Sequence, residues 1–402
     1  MTGSPRTNSK AANNATILNL IRSEGPISRA DLAQRTGLSV PTVSTIIDDL
    51  QKVHLAEELG QGDSSGGRRP QLYGFNPKVW QIVALSLGKT KLTTALLDMS
   101  GSIITRHEQT IQVMNKPDEG LQEITAAIEN LIMGEKVTPK EIAYIGLSVP
   151  GVVSADGELV ISSPLQWYNI PLGQRLRDHF KLPVLVENDG IAAVWAEREI
   201  GAGQGRNHIV SLVGQDTGVG SGIILNGQIY RGISGVAGEI GHMVVEENGP
   251  RCTCGHYGCL QVTAIPAVLV KQARVAIEDG VDTHMARMIH GDLNTLTLET
   301  IVEALNHGDR VAFNLVDQMG KYLGSAIAKV VHILNPSKVI IGGGFAPFGE
   351  TLLEPVRRTI KASVLSLASN PLEVVMSPLG QDVSLRGVAL LCSEQWLSSF
   401  KI

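Results

Sequence analysis

"AGEIGH" at residues 237–242 and "CTCGHYGC" at residues 252–259 are the stretches on which the reading of this chain turns. The sequence holds four cysteines, and three of them, Cys252, Cys254 and Cys259, fall inside that octapeptide. With His242 just upstream they offer three sulfurs and one nitrogen. Cys3His is the donor set of a closed tetrahedral zinc site, with no position left for water. The C-x-C-x4-C spacing is unusual for a zinc finger, so the residues alone leave two readings open. One is a structural metal site; the other is a cluster of buried or redox-active thiols. Cys392, far away in an apolar C-terminal helix, reads as a core residue.

Around this stretch lie 402 residues, too many for one compact core, so two to four domains are expected. Hydrophobic residues make up 43% and charged residues 18%, which excludes a disordered chain. The 43 glycines imply many tight turns and close backbone approaches. No apolar run is expected to reach the roughly 18 residues that span a bilayer, so no membrane insertion is expected. The N-terminus lacks an apolar signal core. The cysteines do not form a secreted disulfide framework. A cytoplasmic location is the expectation. The net charge is −5, but residues 1–80 carry nine Lys/Arg against seven Asp/Glu, which permits a DNA-binding N-terminus.

Residues 14–60 read as three short helices. The first is expected from Asn14 to Ser23, with Ile17, Leu18, Leu20 and Ile21 at helical spacing, and Gly25-Pro26 ends it. Ser28 caps the second, with Asp31 placed for a capping box, and Gly37 closes it. Ser39 caps the third, with Pro41 in its first turn. Val43, Ile46, Ile47 and Leu50 form its apolar stripe, and Thr42, Ser44, Thr45 and Asp48 lie off it. Helix, glycine turn, helix is a helix-turn-helix, whose second helix enters the major groove. Two strands near 55–59 and 71–75 then flank a Gly/Ser loop with Arg68 and Arg69, the wing of a winged helix, suited to a narrow minor groove. Ser39, Thr42, Ser44, Thr45, Arg68 and Arg69 are the expected contacts to operator DNA. The alternative is a three-helix interaction module with a solvated basic loop.

From residue 80 strands and helices alternate. "QIVALSLGKTKLTTALLDMSGSII" (81–104) reads as three strands. "AYIGLSVPGVV" (143–153) gives a strand running into Pro150-Gly151. "LPVLVENDGIAAVWAERE" (182–199) is a strand, a polar turn and a helix, with Asp189 as the candidate cap. "HIVSLVGQDTGVGSGIILNGQIYRG" (208–232) is two strands around a glycine loop, then an Asn226-Gly227 hairpin. "KVIIGGG" (338–344) is another strand with a glycine loop.

This order, with "GEIGH" and the C-x-C-x4-C loop, resembles the ROK family of repressors, open reading frames and sugar kinases over about residues 80–400. With the winged helix in front, the chain is similar to the family's sugar-responsive repressors, the bacterial regulators of glucose, N-acetylglucosamine and xylose use. The resemblance implies an α/β actin-like (hexokinase-like) fold of two lobes. The expected domains are a winged helix-turn-helix over 1–78, a small lobe over 79–190 joined by the C-terminal helix 387–402, and a large lobe over 191–386 with the zinc loop. It implies one structural Zn2+ per chain on His242, Cys252, Cys254 and Cys259. It implies a monosaccharide or sugar-phosphate pocket formed by Gly151, Asn188, Asp189, Glu239, His242 and Gln261, with His242 shared between metal and sugar. Family members commonly carry Glu where Gln261 stands, which alters the pocket's charge. Family members associate as dimers or tetramers, and some bind sugar-transport proteins.

In the family's kinases the residue matching Asp189 is the general base, and a D-x-G-G-T hairpin grips phosphate and organises Mg2+. Here that hairpin reads Ser86-Leu87-Gly88-Lys89-Thr90, without the acid and with lysine for the second glycine. The other glycine loops, "TGVGSG" (217–222) and "IGGG" (341–344), remain, though such loops are weak evidence of nucleotide on their own. Phosphoryl transfer depends on positioning and metal electrostatics. A transcriptional regulator with a vestigial base at Asp189, not an enzyme, is therefore expected; an active ATP-dependent sugar kinase carrying a DNA-binding domain is the alternative.

Overall fold

The computed structural model describes residues 5–63, 69–154, 157, 160–215, 218–366 and 371–399. The N-terminal unit is α1 (Pro5–Glu24), β1 (Ile27–Ser28), α2 (Arg29–Thr36), α3 (Val40–Lys52), β2 (Ala56–Gln61) and β3 (Gln71–Phe75). α1 starts well before the expected Asn14. Pro5 opens its first turn, where a missing N–H costs nothing. The polar run that follows has no apolar stripe for periodicity to detect. Ser28 Oγ accepts the Asp31 N–H at 3.1 Å and donates to Asp31 Oδ2 at 2.7 Å. The carboxylate thus bonds the cap's hydroxyl, not its backbone N–H, and the capping box is only half formed. Gly37 closes α2 at φ 68°, in the left-handed region. Ser39 Oγ caps α3 by accepting the Thr42 N–H at 3.3 Å. Val43, Ile46, Ile47 and Leu50 are buried, as their spacing requires. β3 is the middle strand of a three-stranded sheet between β1 and β2, the wing of the helix-turn-helix.

The rest of the chain builds one topology twice. β4 (Gln81–Leu87), β5 (Lys91–Asp98) and β6 (Ile103–Thr110) form an antiparallel meander. After α4 (Pro117–Gly134) comes β7 (Ile142–Val149), parallel to β4. A small antiparallel sheet of β8 (Val152–Val153), β9 (Val160–Ser162) and β10 (Trp167–Ile170) follows, then α5 (Leu172–Phe180). β11 (Val184–Asn188) joins β7 in parallel, giving the order β11-β7-β4-β5-β6. After α6 (Asp189–Ile200) the pattern repeats. β12 (Ile209–Gly214), β13 (Val219–Leu225) and β14 (Gln228–Ile229) are antiparallel. A helical region follows, comprising α7 (Leu260–Thr263), α8 (Pro266–Glu278), α9 (His284–Met288), α10 (Leu298–Asn306) and α11 (Arg310–Leu334). β15 (Lys338–Gly343), α12 (Gly349–Ser363) and β16 (Glu373–Met376) complete the order β14-β13-β12-β15-β16. The central strands are buried on both faces, which explains their continuous apolar runs.

Two helices join the halves. α6 packs on β12 and β13, while α13 (Val383–Ser399) packs on β4 and β7, and the two helices lie against each other. Their approach needs Gly387, where a Cβ would sit 1.8 Å from the Ala192 carbonyl oxygen. Residues 260–278 are, contrary to the sequence expectation, long and apolar enough to pass as a membrane span, with a mean hydropathy of 1.3. The chain breaks there between α7 and α8, and Leu260, Ala264, Ile265, Leu269 and Ala273 sit in the second lobe's core. The N-terminal unit is seated on the body. Met99 and Leu397 share its core, the Trp80 and Trp396 rings meet tilted at 44° with centroids 4.3 Å apart, and Arg22 pairs with Glu199 at 3.6 Å.

Candidate functional site

The cleft between the two sheets holds a cavity of about 130 Å³. Its walls bring together Gly151, Asn188, Asp189, Glu239, His242 and Gln261, all six residues singled out from the sequence. β11 ends on Asn188, and Asp189 opens α6 directly after it. Asn188 Oδ1 accepts the N–H groups of Gly190 and Ile191 at 2.9 and 3.0 Å, and its Nδ2 donates to the Gly151 carbonyl at 2.7 Å. The cap of α6 is therefore Asn188, which corrects the capping candidacy of Asp189. Freed from that role, Asp189 turns its carboxylate into the cleft.

Asp189 is buried, and burial pushes its carboxyl up to about 7. Hydrogen bonds from the Gly190 N–H and Gln215 oppose that shift, and the nearby Glu239 charge adds to it. A carboxyl poised near neutrality can take a proton from a hydroxyl or donate to one. α6 reaches the cleft only because residue 190 is glycine; a Cβ there would lie 2.3 Å from the Ser221 backbone nitrogen on β13.

"GEIGH" folds as a tight 3-10 turn over Ile240–His242, anchored by buried Ile240 and by Ser221 Oγ bonded to the Gly238 carbonyl. Glu239 sits half-exposed at the cleft mouth, where partial desolvation by its walls still raises its carboxyl. His242 has two faces. Nε2 lies 3.8 Å from Glu239 Oε2, and Nδ1 lies 3.6 Å from Cys252 Sγ.

Behind His242, one ligand atom each from His242, Cys252, Cys254 and Cys259 lie within 4.8 Å of one another. Cys254 and Cys259 sulfurs are 3.7 Å apart. Ligand bonds of about 2.3 Å in a tetrahedron put sulfurs about 3.8 Å apart, so the donors fit a metal ion. Burial opposes the Cys252 thiolate, but hydrogen bonds from Cys254, His242 and Cys259 outweigh it and bring the thiol down to about 6. Burial and the two neighbouring sulfurs push Cys259 up to about 12. Packed thiols that cannot all ionise together call for a cation. Gln261 bridges cluster and cleft, donating from Nε2 to Cys252 Sγ at 3.4 Å.

A second cavity of about 480 Å³ lies beside the β4–β5 turn, lined by Ser86, Gly88, Lys89, Gly214 and Gly343 among others. Of its three lining acids, Glu108 and Asp382 are engaged by Lys91 and Arg106 at 2.9–3.0 Å, and Glu299 stands in the first turn of α10. Thr217, at the start of the second glycine loop, lies outside the described residues. On the N-terminal unit Ser39, Thr42 and Thr45 are exposed along one edge of α3, Ser44 is half-buried, and Arg69 is exposed at the base of the wing. Arg68 lies outside the described residues.

Sequence reading missed Gln215, Ser221 and Thr253 in the cleft wall. Thr253 stands between two of the cysteines and Ser221 inside the glycine loop 217–222, which were usable signals; Gln215 had none. His256, with Nδ1 3.4 Å from Cys254 Sγ, was also passed over.

Comparison with known proteins bears on this geometry. The model of the ROK family matches residues 82–395, more than half of the chain. The chain belongs to the ROK family. Ahead of that domain, residues 16–52 match a winged helix-turn-helix DNA-binding model. This ROK protein is 29% identical to the xylose repressor of Bacillus spizizenii over 393 residues, 98% of each chain. It is 34% identical to the glucokinase of Halalkalibacterium halodurans over 321 residues, covering 78% of this chain and 95% of the glucokinase. A ROK family transcriptional regulator of known crystal structure, a homologue of the E. coli MLC protein, superposes with a TM-score of 0.81 at 28% identity over 97% of each chain. The kinase thus accounts for part of this ROK chain and the regulators for nearly all of it. A winged helix-turn-helix followed by an actin-like, hexokinase-like two-lobed domain is the architecture.

Proposed function

We propose that this ROK protein is a sugar-responsive transcriptional repressor of sugar uptake or catabolism genes. The winged helix binds operator DNA. The cleft takes a monosaccharide or sugar phosphate through Asn188, Asp189, Glu239, His242, Gln261 and the Gly151 backbone. The observation that carries this reading is a mismatch between the two cavities. The cleft keeps a set of hydroxyl-binding groups, while the phosphate-side turn has Ser86 where the family's kinases carry the acid that organises Mg2+, and Lys89 where they carry the second glycine. Likeness to repressors along nearly the whole chain supports the same reading.

Zn2+ on His242, Cys252, Cys254 and Cys259 would staple the loop that carries His242 and Gln261, a structural role with no step of chemistry. A sugar touching both lobes favours their closed arrangement by the difference in its affinity for the two states. In a homodimer or homotetramer, two winged helices face half-sites about 34 Å or a multiple apart, so a small lobe movement changes their register. The protein acts in the cytoplasm, and a sugar-transport protein is a candidate second partner.

The retained Asp189 and the roomy second cavity favour one alternative, a sugar kinase that also binds DNA. ATP turnover with D-xylose, D-glucose and N-acetyl-D-glucosamine separates the two. The repressor reading expects no sugar-dependent hydrolysis; clear turnover establishes the kinase.

A further inference from the structure

Glu187, on β11, precedes Asn188 and Asp189 and keeps only 4% of its side chain exposed. Arg231, from the segment after β14 and hence from the other lobe, grips it with both branches: Nη1 to Oε1 at 3.0 Å and Nη2 to Oε2 at 2.6 Å. Oε1 also accepts the Asn188 N–H at 2.8 Å. The Arg231 segment is itself held, because Ala237 N–H donates to the Arg231 carbonyl at 3.1 Å. It rests against the first lobe at β8, where a Cβ on Gly235 would lie 3.3 Å from the Val153 carbonyl oxygen. A planar fork on both oxygens is the strong form of an ion pair, and a buried carboxylate that loses its partner is costly. Parting the lobes does that to Glu187.

We propose that Arg231 is a positioning residue of the cleft. Acting through Glu187, it holds the Asn188–Asp189 corner in place and latches the two lobes together, and so sets how much sugar the cleft needs. The sugar arm of this inference rests on the repressor reading; the latch itself does not.

The test uses the full chain with Arg231→Ala, Arg231→Lys, Glu187→Gln and the Arg231→Ala/Glu187→Gln double variant. Dyes on non-natural residues at exposed Met133 and Ile333 report the lobe separation without touching the cysteines. Ligand-free Arg231→Ala should show a longer or broader separation than the parent, and Arg231→Lys an intermediate one. D-xylose and D-glucose affinity, measured by calorimetry, should fall about tenfold or more in Arg231→Ala. Part of that loss should return in the double variant, because no unpaired charge is left buried. An unchanged ligand-free separation overturns the latch, and so do losses that simply add. If neither sugar binds the parent, the sugar reading fails, and the ligand-free separation still decides the latch.

Discussion

At the scale of single residues, the cleft is set by how Asn188 and Asp189 divide their work. Asn188 spends its amide on the α6 cap and on Gly151, which leaves Asp189 a buried carboxyl with a pKa near 7. That shift has a measurable consequence. A carboxyl whose folded pKa is raised gives stability that is fully present below its unfolded pKa of about 4 and is lost as pH rises through 7. The parent should therefore lose stability relative to Asp189→Asn between pH 4 and 8, by up to about 4 kcal/mol for a shift of about 3 units. Urea unfolding of both proteins across that range checks it. A constant difference between them would mean that Asp189 is not held protonated. The pair Asn188-Asp189 was legible as a site because two polar side chains end an apolar strand. Their division of labour was not, since either side chain can cap a helix and only the position of Gly151 decides between them.

At the scale of elements, the winged helix and the cysteine loop each make a separable claim. Caps are local, so Ser28, Gly37 and Ser39 could be read directly, and the α3 stripe with them; the start of α1 could not, because its first turns are polar throughout. Exposed hydroxyls on α3 and an exposed Arg69 predict two kinds of defect. Arg69→Ala should weaken binding to all DNA sequences alike and reduce the slope of log affinity against log salt by about 1. Thr45→Ala should change which bases are preferred, as selection from a random DNA library would show. Parent-like behaviour of both would remove the winged helix from DNA. In the cysteine loop, Cys254→Ser breaks one of four ligands. Metal analysis should find about one zinc per chain in the parent and little in the variant. Limited proteolysis should then cut between residues 243 and 260 in the variant alone. A parent without metal would assign the cluster to thiol chemistry instead, and equal zinc in both would remove Cys254 from the ligand set.

For the molecule as a whole, the chain builds one five-stranded topology twice and lets α6 and α13 cross between the copies. The strands were visible as apolar runs, and the pairing of the halves followed from family resemblance. What sequence could not reveal are the contacts that close over long separations. Glu187 meets Arg231 across the cleft, Arg22 meets Glu199, and Trp80 meets Trp396 where the winged helix seats on the body. Each depends on how finished elements pack, and none leaves a local pattern. Those contacts also suggest the route of the signal. α6 begins in the cleft at Asp189 and ends beside Glu199, which touches α1 of the winged helix. On the proposed reading, a change in lobe closure at one end of α6 would reach the DNA-binding unit at the other. Switching most of the population takes a differential affinity on the order of 5 kcal/mol, within reach of several cleft hydrogen bonds per chain. The most direct test is the affinity of parent, Asp189→Ala and Glu239→Ala proteins for DNA selected from a random library, measured with and without D-xylose and D-glucose. The account predicts that one of these sugars changes the parent's DNA affinity, while both variants bind DNA as the parent does and ignore the sugar. Variants that respond as the parent does would contradict it and place the sensor outside the cleft.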